Sequence, residues 1–123
     1  MDDIIKDLYD VISSRKAEAA ENSYTAYLFR EGIDKILKKI GEEASETIIA
    51  AKSLEAAVKG NAEEGTRLEK QADLENEFCD LLYHMLVLLA EREIPLESVM
   101  AILEERAGKS GNLKKFKTVN KDS

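Results

Sequence analysis

Tryptophan is absent from the 123 residues, and cysteine, proline and histidine occur once each. The single Cys79 excludes an internal disulfide and a cysteine-built zinc site. One proline and six glycines, beside 35% charged residues, leave room for few turns and favour long helices. Aromatics amount to 6% and β-branched runs are short, which argues against a sheet protein. No apolar run is long enough to cross a bilayer, because the most apolar region, Phe78 to Ala90, is interrupted by Asp80 and His84. Cationic residues are in deficit: 18 Lys and Arg stand against 25 Asp and Glu, a net charge of −7. That balance excludes duplex nucleic acid and an anionic membrane surface as natural partners. The opening Met1-Asp2-Asp3 is acidic where a signal peptide would be basic, so a reducing, cytoplasmic setting is expected. One histidine and no strand–turn–helix serine motif exclude a nucleophilic triad, and no phosphate-binding glycine loop is present.

What remains is helical periodicity over one domain, 1–123. The pattern Ile4, Ile5, Leu8, Val11, Ile12 predicts a helix from about Asp2 to Ala20. Tyr24 to Glu31 predicts a short helix stopped by Gly32. From Ile33 to Lys59 the apolar residues form one stripe, with Gly60-Asn61 as the stop. Thr66 and Glu69 have the form of a capping box opening a third long helix that runs to about Glu93. Pro95 fits the first position of a last helix to about Arg106. The basic tail from Leu113 to Ser123 reads as flexible. The expected fold is an all-α bundle of four main helices. Because Phe78 to Ala90 is apolar almost all round, a second copy is expected to complete its cover, giving a homodimer.

Glu77, Asp80 and His84 interrupt that apolar helix at spacing i, i+3, i+7, which places them on one narrow stripe. Carboxylates facing an apolar core are costly unless paired or metal-bound. The preceding long helix supplies more acid: Glu42, Glu43 and Glu46 form an EExxE cluster. Antiparallel packing would bring Glu43, Glu46, Glu77 and Asp80 together, and a hard divalent cation, Mg²⁺ or Mn²⁺, would relieve their repulsion. The alternative is a solvated acidic face paired with neighbouring lysines. Lys35, Lys38, Lys39 and Lys52 flank the cluster as phosphate contacts or as i, i+4 partners such as Lys38–Glu42 and Lys39–Glu43. His84 is either a substrate-phosphate contact or a buried histidine bonded to a neighbouring group. Cys79 lies off the acidic stripe and is expected in the core.

Gly32-Ile33-Asp34-Lys35-Ile36-Leu37-Lys38-Lys39-Ile40-Gly41-Glu42-Glu43-Ala44-Ser45-Glu46, continuing through Ile48-Ile49-Ala50-Ala51-Lys52, resembles the phosphoribosyl-ATP pyrophosphatases of histidine biosynthesis. So do Ser23-Tyr24-Thr25 and Glu77-Phe78-Cys79-Asp80-Leu81-Leu82-Tyr83-His84. The resemblance covers about residues 1–106 and lies within the wider MazG-like nucleotide pyrophosphohydrolases. It implies Mg²⁺ ligation by Glu43, Glu46, Glu77 and Asp80, and hydrolysis of phosphoribosyl-ATP to phosphoribosyl-AMP and pyrophosphate. A metal-bound water, or one oriented by Glu42 or Glu46, would be the nucleophile. Leu54 to Asn76 departs from the resemblance, being longer and more charged than the family pattern. With one Cys and one His, the chain lacks the ligands for the cyclohydrolase step carried by fused family members. Two other readings are a housecleaning nucleoside triphosphate pyrophosphohydrolase of the same fold and a non-catalytic helical interaction protein.

Overall fold

A computed structural model describes residues 3–17 and 22–108. Its helices are α1 (Ile4–Ala17), α2 (Tyr24–Glu31), α3 (Ile33–Lys59), α4 (Glu64–Glu91) and α5 (Leu96–Ala107), with no strand among the described residues. These are the four expected long helices plus the short one. The 113–123 tail lies outside the described residues.

Local chemistry sets each boundary. The Asp3 carboxylate accepts from the Lys6 backbone N–H at 3.0 Å and opens α1. Ser23 opens α2 by accepting from the Ala26 N–H at 3.1 Å. Gly32 serves two helices at once. Its N–H donates to the Leu28 carbonyl, closing α2, and its own carbonyl accepts from Ile36, opening α3. It does so at φ 93°, ψ −175°, a conformation essentially reserved for glycine. At the far end of α3 the left-handed residue is Asn61 (φ 54°), and the Ala62 N–H reaches back to the Ala57 carbonyl. The same device ends α4, with Glu93 at φ 56° and Ile94 bonded to Leu89.

Two expected boundaries shift. α4 begins at Glu64 rather than at a Thr66–Glu69 capping box, because Glu63 takes the cap position without a side-chain bond. Pro95 is the N-cap of α5, not its first helical residue, at φ −64° and ψ 141°.

α3 and α4 form a long antiparallel hairpin, and the core gathers at one end of it. Ile12, Leu28, Ile36, Leu86, Val87, Ala90 and Leu96 are the buried cluster, drawn from all five helices. Polar ties close this end. The Tyr9 hydroxyl donates to the Ile94 carbonyl at 2.6 Å, and the Lys16 ammonium donates to the Ala90 and Glu91 carbonyls at 3.1 and 3.3 Å. A cation on the last carbonyls of α4 also complements the helix dipole. Beyond the core the hairpin stands clear: no residue between Ala50 and His84 is buried. The expectation that Phe78 to Ala90 is enclosed on every side is therefore not met within one chain. Phe78 is 60% and Met85 48% exposed. Cys79 is exposed as well, correcting its assignment to the core.

Replacing Gly32 with alanine forces a side chain into its glycine-only backbone, although open space surrounds the position. The expected cost is about 1–3 kcal/mol. Thermal unfolding by circular dichroism should show a Tm several degrees lower, and an unchanged Tm would refute the shared-cap role.

Candidate metal centre

The acidic residues occupy the middle of the α3–α4 hairpin, at the edge of the core. Carboxylate oxygens of Glu43, Glu77 and Asp80 lie within 4.8 Å of one another. Glu43 is 7% exposed, and the Lys39 ammonium approaches its Oε1 at 3.6 Å. Its other oxygen, Oε2, is closed to solvent and lacks a hydrogen-bond partner, as does Glu77 Oε2. Two buried, partnerless carboxylate oxygens aimed at one acidic cluster are costly, because each carries the desolvation penalty of an unmade bond. Both oxygens could serve as ligands to a hard cation.

Glu46, the fourth expected ligand, adjoins Glu77 but is not among the residues whose oxygens converge. Hydrogen bonding to the Glu46 carboxylate, then burial, then the charges of Glu46, Glu43 and Asp80 push Glu77 up to about 7. Two carboxylates form such a bond only by sharing a proton, which a cation can replace. The donor set is all oxygen, mixing buried and exposed carboxylates, and it fits Mg²⁺ or Mn²⁺ better than zinc.

Glu42 points elsewhere. It pairs with Lys39 at 3.1 Å, and that bond holds its carboxyl below the usual range. A lowered carboxyl is a weaker base, so Glu42 is the poorer of the two expected bases. Lys39 therefore bridges both acids of the EE pair. Lys35 lies 5.8 Å above the Tyr27 ring. Lys38 is exposed one turn before Glu42. Lys52 is bonded to Glu55, one turn on toward the hairpin tip, with 73% of its side chain exposed. Among the four lysines, only Lys39 makes an ion pair with the cluster among the described residues.

His84 is buried, and both ring nitrogens are engaged. The Asp80 carbonyl can only accept, so Nδ1 carries the proton donated to it at 2.7 Å. Neutral, the ring accepts at Nε2 from the Tyr24 hydroxyl at 2.8 Å. A substrate contact by His84 requires the Tyr24 bond to be exchanged. Tyr24 lies close enough to the cluster that, after burial, Glu43 helps hold its phenol above the usual value while Lys39 opposes that shift. Tyr24 was not among the expected site residues. Its signal was Ser23-Tyr24-Thr25, whose serine caps α2 and whose threonine bonds the Tyr83 hydroxyl.

On the other side of the cluster, away from Tyr24, an open groove of about 290 Å³ runs between α3 and α4 and shares Glu46 and Glu77 with it. No helix is long and apolar enough to cross a membrane among the described residues.

Residues 5–107 match the family described as phosphoribosyl-ATP pyrophosphohydrolase (PRA-PH). A phosphoribosyl-ATP pyrophosphatase of Clostridium novyi (strain NT) is 46% identical over 91% of this chain and 88% of its own length. One from Listeria welshimeri is 44% identical over 95% of this chain and 98% of its own length. The histidine biosynthesis bifunctional protein HisIE of Bacillus subtilis (strain 168) is 48% identical over 84% of this chain, matching 42% of that longer protein. The chain belongs to the phosphoribosyl-ATP pyrophosphohydrolase family.

Proposed function

We propose that this chain hydrolyses phosphoribosyl-ATP to phosphoribosyl-AMP and pyrophosphate, the second step of histidine biosynthesis, with Mg²⁺ as cofactor and Mn²⁺ as a substitute. The observation that carries the reading is the pair of buried, partnerless oxygens on Glu43 and Glu77 within a cluster of family-type spacing. Glu43, Glu46, Glu77 and Asp80 would hold the cation. The chemistry a bound Mg²⁺ supplies there is neutralisation of charge developing on the phosphate oxygens.

The chain's own groups do the rest. Glu46, exposed at the mouth of the groove beside Glu77, accepts the proton of the attacking water. Lys39, already between Glu42 and Glu43, can turn its ammonium to a phosphate oxygen, and Lys35 and Lys38 extend that positive edge along α3. Tyr24, held by His84, borders the same edge. Lys52 faces away toward Glu55 and is the least suited of the proposed phosphate contacts.

A second copy of the chain is part of the proposal. On a 3.6-residue wheel Leu37 and Ile48 of α3 and Phe78 and Met85 of α4 turn to one side of the hairpin, opposite the groove. All four are exposed large hydrophobics. Covering them against a partner would supply the burial that one chain does not.

Three outcomes are expected. Purified protein should release pyrophosphate from phosphoribosyl-ATP in preference to a panel of ordinary nucleoside triphosphates, and Glu43→Gln or Asp80→Asn should lower turnover by orders of magnitude with helicity intact. Preference for a free triphosphate would favour the housecleaning reading, and metal-independent release or active variants would remove the ligand assignment. Sedimentation should show a dimer at micromolar concentration that Phe78→Glu with Met85→Glu converts to a folded monomer. A monomeric wild type would refute the partner surface.

The third outcome concerns pH. The native Glu77 carboxyl binds its proton more tightly than the ordinary value of 4.5, with its midpoint at about 7. Its contribution to stability is therefore complete below pH 4.5 and lost as pH rises through about 7. Metal-stripped wild type should lose Tm across that interval more steeply than Glu77→Gln, and Mg²⁺ at pH 8 should raise the wild-type Tm more than the variant's. Parallel Tm profiles for the two proteins would count against the shared-proton cluster.

A further inference from the structure

The groove beside the cluster has a sequence of chemistries that matches one end of the proposed substrate. It begins at Glu46 and Glu77, within the metal centre. Next along α3 comes Ile49, an apolar side chain left 64% exposed. Along α4, moving away from the cluster, come Asn76, Asp73 and Lys70. Lys70, Asp73 and Glu77 share a stripe at i, i+3, i+7, so Lys70 sits about 10 Å along the helix from Glu77 on the same face. Lys70 is the only cation lining the groove, it is half-buried, and it makes no ion pair among the described residues. The ordinary role of a helix-surface lysine, pairing with an acid three or four residues away, is thus not the one it takes.

Resting on the proposed activity, we infer that this groove holds the phosphoribosyl end of phosphoribosyl-ATP, with the Lys70 ammonium on its terminal phosphate. The substrate is anionic at both ends, a triphosphate on one ribose and a single phosphate on the sugar carried by the adenine. The cluster and the Lys39 edge take the triphosphate. The α–β phosphoanhydride that breaks lies over Glu46 and Glu77, and the nucleoside extends down the groove. Its adenine lies against Ile49. The hydroxyls of the second ribose meet Asp73 and Asn76, since a carboxylate is a suitable acceptor for ribose hydroxyls. Lys70 then meets the phosphate as a point charge. The arm beyond the core, which has no buried residue of its own, acquires a role as the ruler that distinguishes phosphoribosyl-ATP from ATP.

The test compares wild type, Lys70→Ala, Lys70→Glu and Lys70→Arg in KM and kcat for phosphoribosyl-ATP, and in the inhibition constant of ATP as a competitor. Removing a contact made equally in the ground state and the transition state raises KM and leaves kcat unchanged, and a phosphate far from the reacting bond is such a contact. Lys70→Ala should raise KM roughly 10-fold or more, since a hydrogen bond to a charged group is lost, with kcat nearly unchanged. Lys70→Glu should raise it further, Lys70→Arg should restore it, and the ATP constant should stay the same in all four. Calorimetry supplies a readout apart from turnover: wild type should bind phosphoribosyl-AMP more tightly than AMP, and Lys70→Ala should lose that margin. Unchanged KM, or a parallel loss of ATP affinity, would overturn the assignment while leaving the activity standing. A wild type inert toward phosphoribosyl-ATP would overturn both.

Discussion

Electrostatic repulsion across one helix pair is the constraint from which the rest of the site follows. Glu43, Glu77 and Asp80 bring carboxylate oxygens within 4.8 Å of one another, and with Glu46 they raise the Glu77 carboxyl to about 7. Four acids in a partly dehydrated setting repel strongly. Without a cation the chain relieves the strain in the ways open to it. One proton is retained near neutral pH, and Lys39 leans between Glu42 and Glu43. Both are replaceable, and two oxygens are still left without a donor. A site of this kind gives up stability in the empty state so that it can bind charge firmly when occupied.

The remainder of the fold keeps that arrangement from relaxing. The five-helix core lies immediately beside the cluster, so α3 and α4 cannot spread to separate their acids without exposing Ile36, Leu86 and Val87. Gly32 fixes where α2 meets α3, and the Ser23 cap fixes where α2 begins. Together they set Tyr24 against His84, whose other nitrogen is tied to the Asp80 carbonyl. Asp80, one of the proposed metal ligands, is thereby connected through its backbone to the aromatic edge of the site.

Much of this was legible in the sequence because helical periodicity is a strong signal. The i, i+3, i+7 spacing of Glu77, Asp80 and His84 placed them on one face, and the EExxE cluster named the opposing acids. The Thr66–Glu69 pair is a local pattern that falls inside the helix, because the chain has already entered helix at Glu64. Cys79 was misplaced because its neighbours are apolar, whereas a single chain leaves its face of α4 open. Tyr24 was overlooked because its partner is 60 residues away, and no spacing rule links a tyrosine on a short helix to a distant histidine. The division of labour within Glu42-Glu43 was also hidden. Neighbours in sequence diverge by about 100° on a helix, and only the packed pair reveals that one meets Lys39 at the surface while the other is enclosed.

The free-standing outer half of the hairpin has a consequence for how such proteins diversify. None of its residues between Ala50 and His84 is buried, and the acidic cluster sits at its root, so matched turns can be added or removed at the Gly60-Asn61 bend without altering the registry of Glu43 with Glu77. Insertions at an exposed bend cost little closure entropy. Reaction chemistry and substrate measurement are thus carried on separate lengths of the same two rods, and one can lengthen over evolutionary time while the other stays fixed.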